Sequence, residues 1–297
     1  MRCRAGFRRW SGLFALFCLL AVAGCGAGGG PTADPDATGP VVGSGGSLPR
    51  PAHVVVVIFE NKGEAQLFEH APYLARLAGT GARFVHSHGI AHPSQPNYLA
   101  LLSGSTQGVR DDSCPQDLGA KPHLARQLID AGYTFAGYSE SMPVTGFTGC
   151  SAAGGLYQRK HNPWVDFSNV PASDNRPYAR FPRDLSRLPT VSFVVPNMCH
   201  DMHSCPVSAG DRWASRNLPR YVRWVHTHRS LLVVTFDEDD GTVANHIPTF
   251  LVGPMVRPGR APQRIDHYNV LRTLEDMYGL APLGLAARAR PLTGWTR

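Results

Sequence analysis

The chain has 297 residues, of which 43% are hydrophobic and 17% charged, a balance that supplies one large core and excludes a wholly disordered chain. Its formal charge of +7 is inflated by the first 24 residues, which hold four arginines and no acid, so about +3 remains without them. With no Lys/Arg run either, the composition excludes nucleic acid as a partner.

Arg2, Arg4, Arg8 and Arg9 precede the apolar stretch LFALFCLLAVAG, which is too short to span a bilayer comfortably and reads as a secretory signal peptide over 1–24. Val22-Ala23-Gly24 before Cys25 resembles the lipobox of bacterial lipoproteins. The expectation is therefore an exported chain, lipid-anchored through Cys25 to the outer face of the cell membrane or released outside the cell. Residues 25–50 are Gly, Pro, Ser, Thr and Ala with few large apolar groups, and read as a flexible tether. The folded domain is placed at 51–297. Cys114, Cys150, Cys199 and Cys205 are an even set in a chain bound for an oxidising compartment, so two disulfides are expected. Three pairings exist. Cys199 with Cys205 and Cys114 with Cys150 is preferred because it closes the shortest loops.

Apolar, β-rich runs fall at 53–59, 82–86, 133–138, 191–195, 231–236 and 248–252, and helical patterns at 71–78, 98–102, 124–131, 214–226 and 267–278. Strands alternating with helices predict an α/β fold around a mainly parallel central sheet covered on both faces.

Several strands end abruptly in polar groups. VVVVIF runs into Glu60 and Asn61; LLVVTF runs into Asp237, Glu238, Asp239 and Asp240. Parallel neighbours would bring Glu60, Asn61, Asp237 and Glu238 to one sheet edge, where converging carboxylates repel unless protonated or bridged by a cation. An all-oxygen set favours a hard divalent ion such as Ca²⁺, Mg²⁺ or Mn²⁺, with Zn²⁺ still open. Ser94, in AHPSQPNYLALLSG, is placed at a helix amino end, where free N–H groups and the dipole suit a phosphate and a metal-touched hydroxyl can act as nucleophile. VVPNMCHDMHSC adds Asn197, His200, Asp201 and His203, and NHIPTFLVGP adds His246.

Taken with KHNPWVDF and DHYNVLRTLEDMYGL, these segments resemble, in consistent order over nearly all of 54–280, the bacterial phosphoesterase family of secreted acid phosphatases and phospholipases C, within the alkaline-phosphatase superfamily. The resemblance implies an alkaline-phosphatase-like α/β sandwich and makes 51–297 a phosphoesterase domain. It implies Ser94 as nucleophile, with Glu60, Asn61, Ser94, Asp237 and Glu238 around the metal. His200 and His246 would face the phosphoryl group or protonate the leaving oxygen, with Asp201 in support, while Lys160 and His161 line the leaving-group side. Where two-metal members of the superfamily carry Pro-Asp and Asp-His, this chain has Pro196-Asn197 and Asp237-Glu238, so one divalent ion is expected. The implied activity is hydrolysis of a phosphate monoester, from a small molecule or a lipid headgroup. A phospholipase C-like phosphodiesterase and a non-catalytic surface lipoprotein that binds a phosphorylated ligand are the alternatives.

Overall fold

The computed structural model describes residues 48–297, so the signal peptide, Cys25 and the tether up to residue 47 lie outside the described residues. The core is an eight-stranded sheet. Its members are β1 (His53–Phe59), β2 (Ala82–His88), β3 (Phe135–Ser139), β6 (Asn175–Pro177), β7 (Val191–Val195), β8 (Ser230–Phe236), β9 (Thr249–Val252) and β10 (Gly259–Asp266), ordered β10-β2-β9-β8-β1-β7-β3-β6. β4 (Ser151–Ala152) and β5 (Tyr157–Gln158) form a separate small ribbon. Within the eight-stranded sheet only β9 runs antiparallel to its neighbours and the other pairings are parallel; β4 and β5 pair antiparallel.

β1 lies in the middle of the sheet and is buried on both sides. Val54, Val56 and Ile58 pack into one apolar layer with α3 (Ser94–Ser103), α4 (Leu124–Asp130) and α7 (His267–Tyr278). Val55, Val57 and Phe59 pack into the other, with α1 (Glu64–His70), α2 (Pro72–Gly79), α5 (Val207–Asn217) and α6 (Pro219–Val225). Successive strand side chains point to opposite faces, so a continuous apolar run is what a strand between two helical layers requires.

All six expected strands are in the sheet. The expected helix over 214–226 is two helices, because Pro219 has no N–H to continue α5 and instead opens α6 at a position where a missing donor costs nothing. Two edge strands lay outside the expectation: β6 is three residues, Asn-Arg-Pro, and β10 carries a proline, two arginines and a mostly exposed pattern. Both disulfides pair as preferred, Cys114–Cys150 and Cys199–Cys205. No described helix is long and apolar enough to cross a membrane.

Candidate active site

The carboxyl ends of β1, β7 and β8 converge on one cluster of buried polar side chains. β1 and β8 are in register to their last residues, and the Asp237 N–H donates to the Phe59 carbonyl at 3.1 Å, which brings Asp237 beside Glu60. The Glu60 N–H donates to the Asp201 carbonyl at 2.8 Å and pulls in the loop after β7. The strand stops at Asn61 because that residue turns to φ 48°, a left-handed conformation that asparagine tolerates, and its N–H then donates to Asp237 Oδ1 at 3.2 Å.

α3 enters this cluster with its amino end. Every residue from Ser94 to Ser103 is buried, and Gly104 ends the helix in the left-handed region, its N–H donating to the Ala100 carbonyl. Ser94 Oγ lies 3.0 Å from Glu60 Oε2, 3.0 Å from Glu238 Oε1 and 3.5 Å from Asn61 Oδ1. Ser94, Glu60, Asn61, Asp237 and Glu238 are thus brought together from three segments far apart in sequence. The acidic run after β8 divides by role. Asp239 folds its own loop, accepting from the Gly241, Thr242 and His246 N–H groups, and exposed Asp240 accepts from Gln66.

Burial pushes all four carboxyls upward. Glu60 is raised by desolvation and then by the charges of Asp237 and Asp201. Asp237 is pushed to about 7 by desolvation and Glu238. Asp201 and Glu238 are raised chiefly by desolvation. One oxygen each of Asp201 and Asp237 has no hydrogen-bond partner among the described residues. Acids that share a pocket and repel one another, with acceptor atoms unpaired, fit a positive charge placed among them.

Tyr98, His92 and His161 complete the cluster. Tyr98, one turn into α3, donates its hydroxyl to Glu60 Oε1. His92 hydrogen-bonds Glu238 through Nδ1 and the Thr242 carbonyl through Nε2 at 3.0 Å. Its partial burial works against the charged ring, but these two bonds and the nearby acids outweigh it and raise its pKa. His161, expected on the leaving-group side, stacks on Tyr98 and sits between two acids, Nε2 at 3.3 Å from Glu60 and Nδ1 at 3.4 Å from Asp201. Desolvation, followed by the charges of Lys160 and His203, lowers the pKa of this imidazole well below the usual histidine range. Glu60, His161 and His203 each offer a ligand atom within 4.8 Å of the others, a nitrogen-rich set that shares Glu60 with the oxygen set around Ser94. Lys160 reaches Asp112 at 2.7 Å.

The remaining expected histidines point elsewhere. His200 Nδ1 pairs with Glu140 at 2.9 Å, its backbone held by the Asn197 side chain. His246 Nε2 hydrogen-bonds the Val85 carbonyl at 3.0 Å, with Glu64 at 3.5 Å and the His88 ring stacked against it. Neither imidazole is within hydrogen-bonding or ion-pairing distance of Ser94, Glu60 or Glu238. Asp201 does not support His200; it faces His161 and accepts from the His203 N–H.

A mainly parallel sheet between two helical layers, with a buried polar cluster at its carboxyl edge, makes this an α/β protein whose fold is shared with solved members of the alkaline phosphatase superfamily. The fold superposes on a protein in the alkaline phosphatase superfamily from Vibrio parahaemolyticus with a TM-score of 0.61 at 13% identity, covering 83% of this chain and 71% of that one. It also superposes on a phosphonate monoester hydrolase from Silicibacter pomeroyi with a TM-score of 0.53 at 12% identity, covering 81% and 76%. More narrowly, the chain belongs to the Phosphoesterase family, whose family model matches residues 67–281. It is 48% identical to a phosphatidylinositol-3-phosphatase of Mycobacterium tuberculosis over 86% of each chain. It is 32% identical to the phosphate-repressible acid phosphatase of Penicillium chrysogenum over 71% of this chain and 55% of that one, and spans about half the length of such fungal enzymes. The chain is a phosphoester hydrolase.

Proposed function

We propose that the enzyme is a divalent-metal-dependent phosphomonoesterase in which Ser94 attacks phosphorus and carries the phosphoryl group before water releases it. The observation that carries this reading is the Ser94 hydroxyl, fixed at the buried amino end of α3 within 3.0 Å of both Glu60 and Glu238. A hydroxyl among carboxylates has acceptors for its proton, and the helix end directs positive potential at the incoming phosphoryl oxygens.

Glu60, Asn61, Asp237, Glu238 and Ser94 would hold the ion. When bound, it would neutralise the clustered acids, lower the pKa of the serine hydroxyl and stabilise charge on the transferring group. The chain's own residues do the rest. His92 fixes the orientation of Glu238, and Tyr98 fixes Glu60. Buried His161, its pKa lowered by desolvation, has an Nε2 with no hydrogen-bond partner among the described residues, and in this reading it is the group placed to exchange a proton near the reacting oxygens. His200 and His246, tied to Glu140 and the Val85 carbonyl, have no part in it.

The substrate class is a phosphate monoester, a phosphorylated lipid headgroup included, supported by the phosphatidylinositol-3-phosphatase that is 48% identical. The test is Ser94→Ala, assayed on p-nitrophenyl phosphate and on a phosphoinositide monoester. Turnover should fall by at least about 10³-fold, with divalent-ion binding by calorimetry retained. A variant that keeps wild-type turnover sinks the proposal.

A further inference from the structure

Gln95 is the second residue of α3, and its backbone N–H is one of the free donors that a helix amino end presents. That donor is already taken: it donates to Asp112 Oδ1 at 3.0 Å. The second oxygen of the same carboxylate, Oδ2, accepts from Lys160 Nζ at 2.7 Å, and Lys160 lies 3.5 Å from His203 Nε2. Asp112 therefore receives one helix N–H and one ammonium, the two kinds of donor that a phosphoryl group would receive in the same place.

The surroundings argue that this carboxylate is displaceable rather than a core fixture. Its side chain is 27% exposed and that of Lys160 is 14% exposed. It stands close enough to the cluster for its charge to act on both Glu238 and His203. The Cys114–Cys150 disulfide ties the segment carrying Asp112 to the one leading to Lys160, since the Cys150 carbonyl accepts from the Arg159 N–H at 2.9 Å. The loop is thus held by a covalent staple in addition to the ion pair. Next to Lys160, His161 Nε2 is buried without a hydrogen-bond partner among the described residues and faces the Glu60 carboxylate, which also accepts from Ser94, at 3.3 Å, so Lys160 and Asp112 border the proposed site around Ser94.

We propose that Asp112 is an internal occupant of the anion site at the amino end of α3: it holds Lys160 and the Gln95 N–H between turnovers, and the substrate phosphoryl group displaces it. A carboxylate and a phosphoryl group cannot share these donors without repulsion, so Asp112 competes with substrate and helps to expel product phosphate. The inference rests on the proposed site around Ser94, but its test does not depend on which residue attacks.

That test is the binding of inorganic phosphate to the full-length enzyme in divalent-metal buffer, measured by calorimetry and as competitive inhibition of p-nitrophenyl phosphate hydrolysis. Asp112→Asn keeps the shape and an acceptor for the Gln95 N–H but removes the charge. Its dissociation and inhibition constants for phosphate should fall by about tenfold, with KM for the ester falling in step. In a Lys160→Gln background the gain should shrink, because the contested cation is gone. Asp112→Ser, which also lacks the competing charge, should behave like Asp112→Asn. Unchanged or weaker phosphate binding in both variants overturns the proposal. So does a drop in melting temperature of more than about 5 °C in both, since a group that leaves on every turnover cannot carry that much of the fold.

Discussion

Glu275 and Glu60 are both fully buried acids, and the molecule treats them differently. Glu275, on α7, accepts the Leu283 N–H at 2.8 Å and leaves its other oxygen unpartnered among the described residues; desolvation pushes its pKa to about 8. A lone buried carboxyl whose desolvation outweighs the nearby Arg272 charge is accommodated by keeping its proton. Glu60 instead shares its pocket with Asp201, Asp237 and Glu238, and every one of these raises or meets a neighbour's charge. Protonating all four would leave their acceptor oxygens idle, whereas a single divalent ion would satisfy several at once. Glu275 is a local cost to stability; in the proposed reading the gathered acids would be organised around a bound cation.

The contrast breaks most visibly on metal removal. A cation that binds only the folded state at a hundredfold excess over its dissociation constant stabilises by about 2.7 kcal/mol. For a domain of this size, chelation should therefore lower the melting temperature by roughly 5–10 °C. Calcium, magnesium, manganese and zinc added back singly should show which ion restores it. In Glu60→Gln the drop on chelation should shrink to about a third or less, whereas in Glu275→Gln it should match wild type. A wild-type melting temperature that ignores chelator would erase the distinction.

The smaller effect concerns Glu275 alone. Its folded pKa lies above the ordinary 4.5, so between those values the folded state holds a proton that the unfolded state has lost. Stability from this residue is highest below about pH 4.5 and is lost as pH rises toward 8. Glu275→Gln, which keeps the acceptor for the Leu283 N–H, should match wild type near pH 5 and exceed it by on the order of 1–2 kcal/mol at pH 8 in urea unfolding. Equal stability at both pH values would show that the buried carboxyl is solvated.

The two regions also differ in how far they could be read from sequence. The edge residues were legible because a strand buried on both faces has no apolar reason to end in Glu60-Asn61 or Asp237-Glu238, and β1 and β8 do end there side by side. Ser94 was legible from the prolines around a helix start. His92, Tyr98 and Asp112 were not: each acts through a partner at least 38 positions away or on a separate loop, and none has a spacing of its own. The expected uses of His200 and His246 came from the family resemblance, and Glu140 and the Val85 carbonyl, which each claim one ring nitrogen, cannot be foreseen from the local sequence. In the fold, β6 and β10 escaped notice because edge strands tolerate proline and charge, and the reversed direction of β9 left no mark in its apolar composition.

The central claim is that the gathered acids and the helix end serve one hydroxyl. The most direct measurement is acid quenching of the enzyme during turnover of a phosphate monoester, followed by peptide mapping by mass spectrometry. The account predicts phosphate on the peptide containing Ser94, at that residue, and none in Ser94→Ala. Phosphate trapped on another residue, or undiminished hydrolysis by Ser94→Ala, would contradict it.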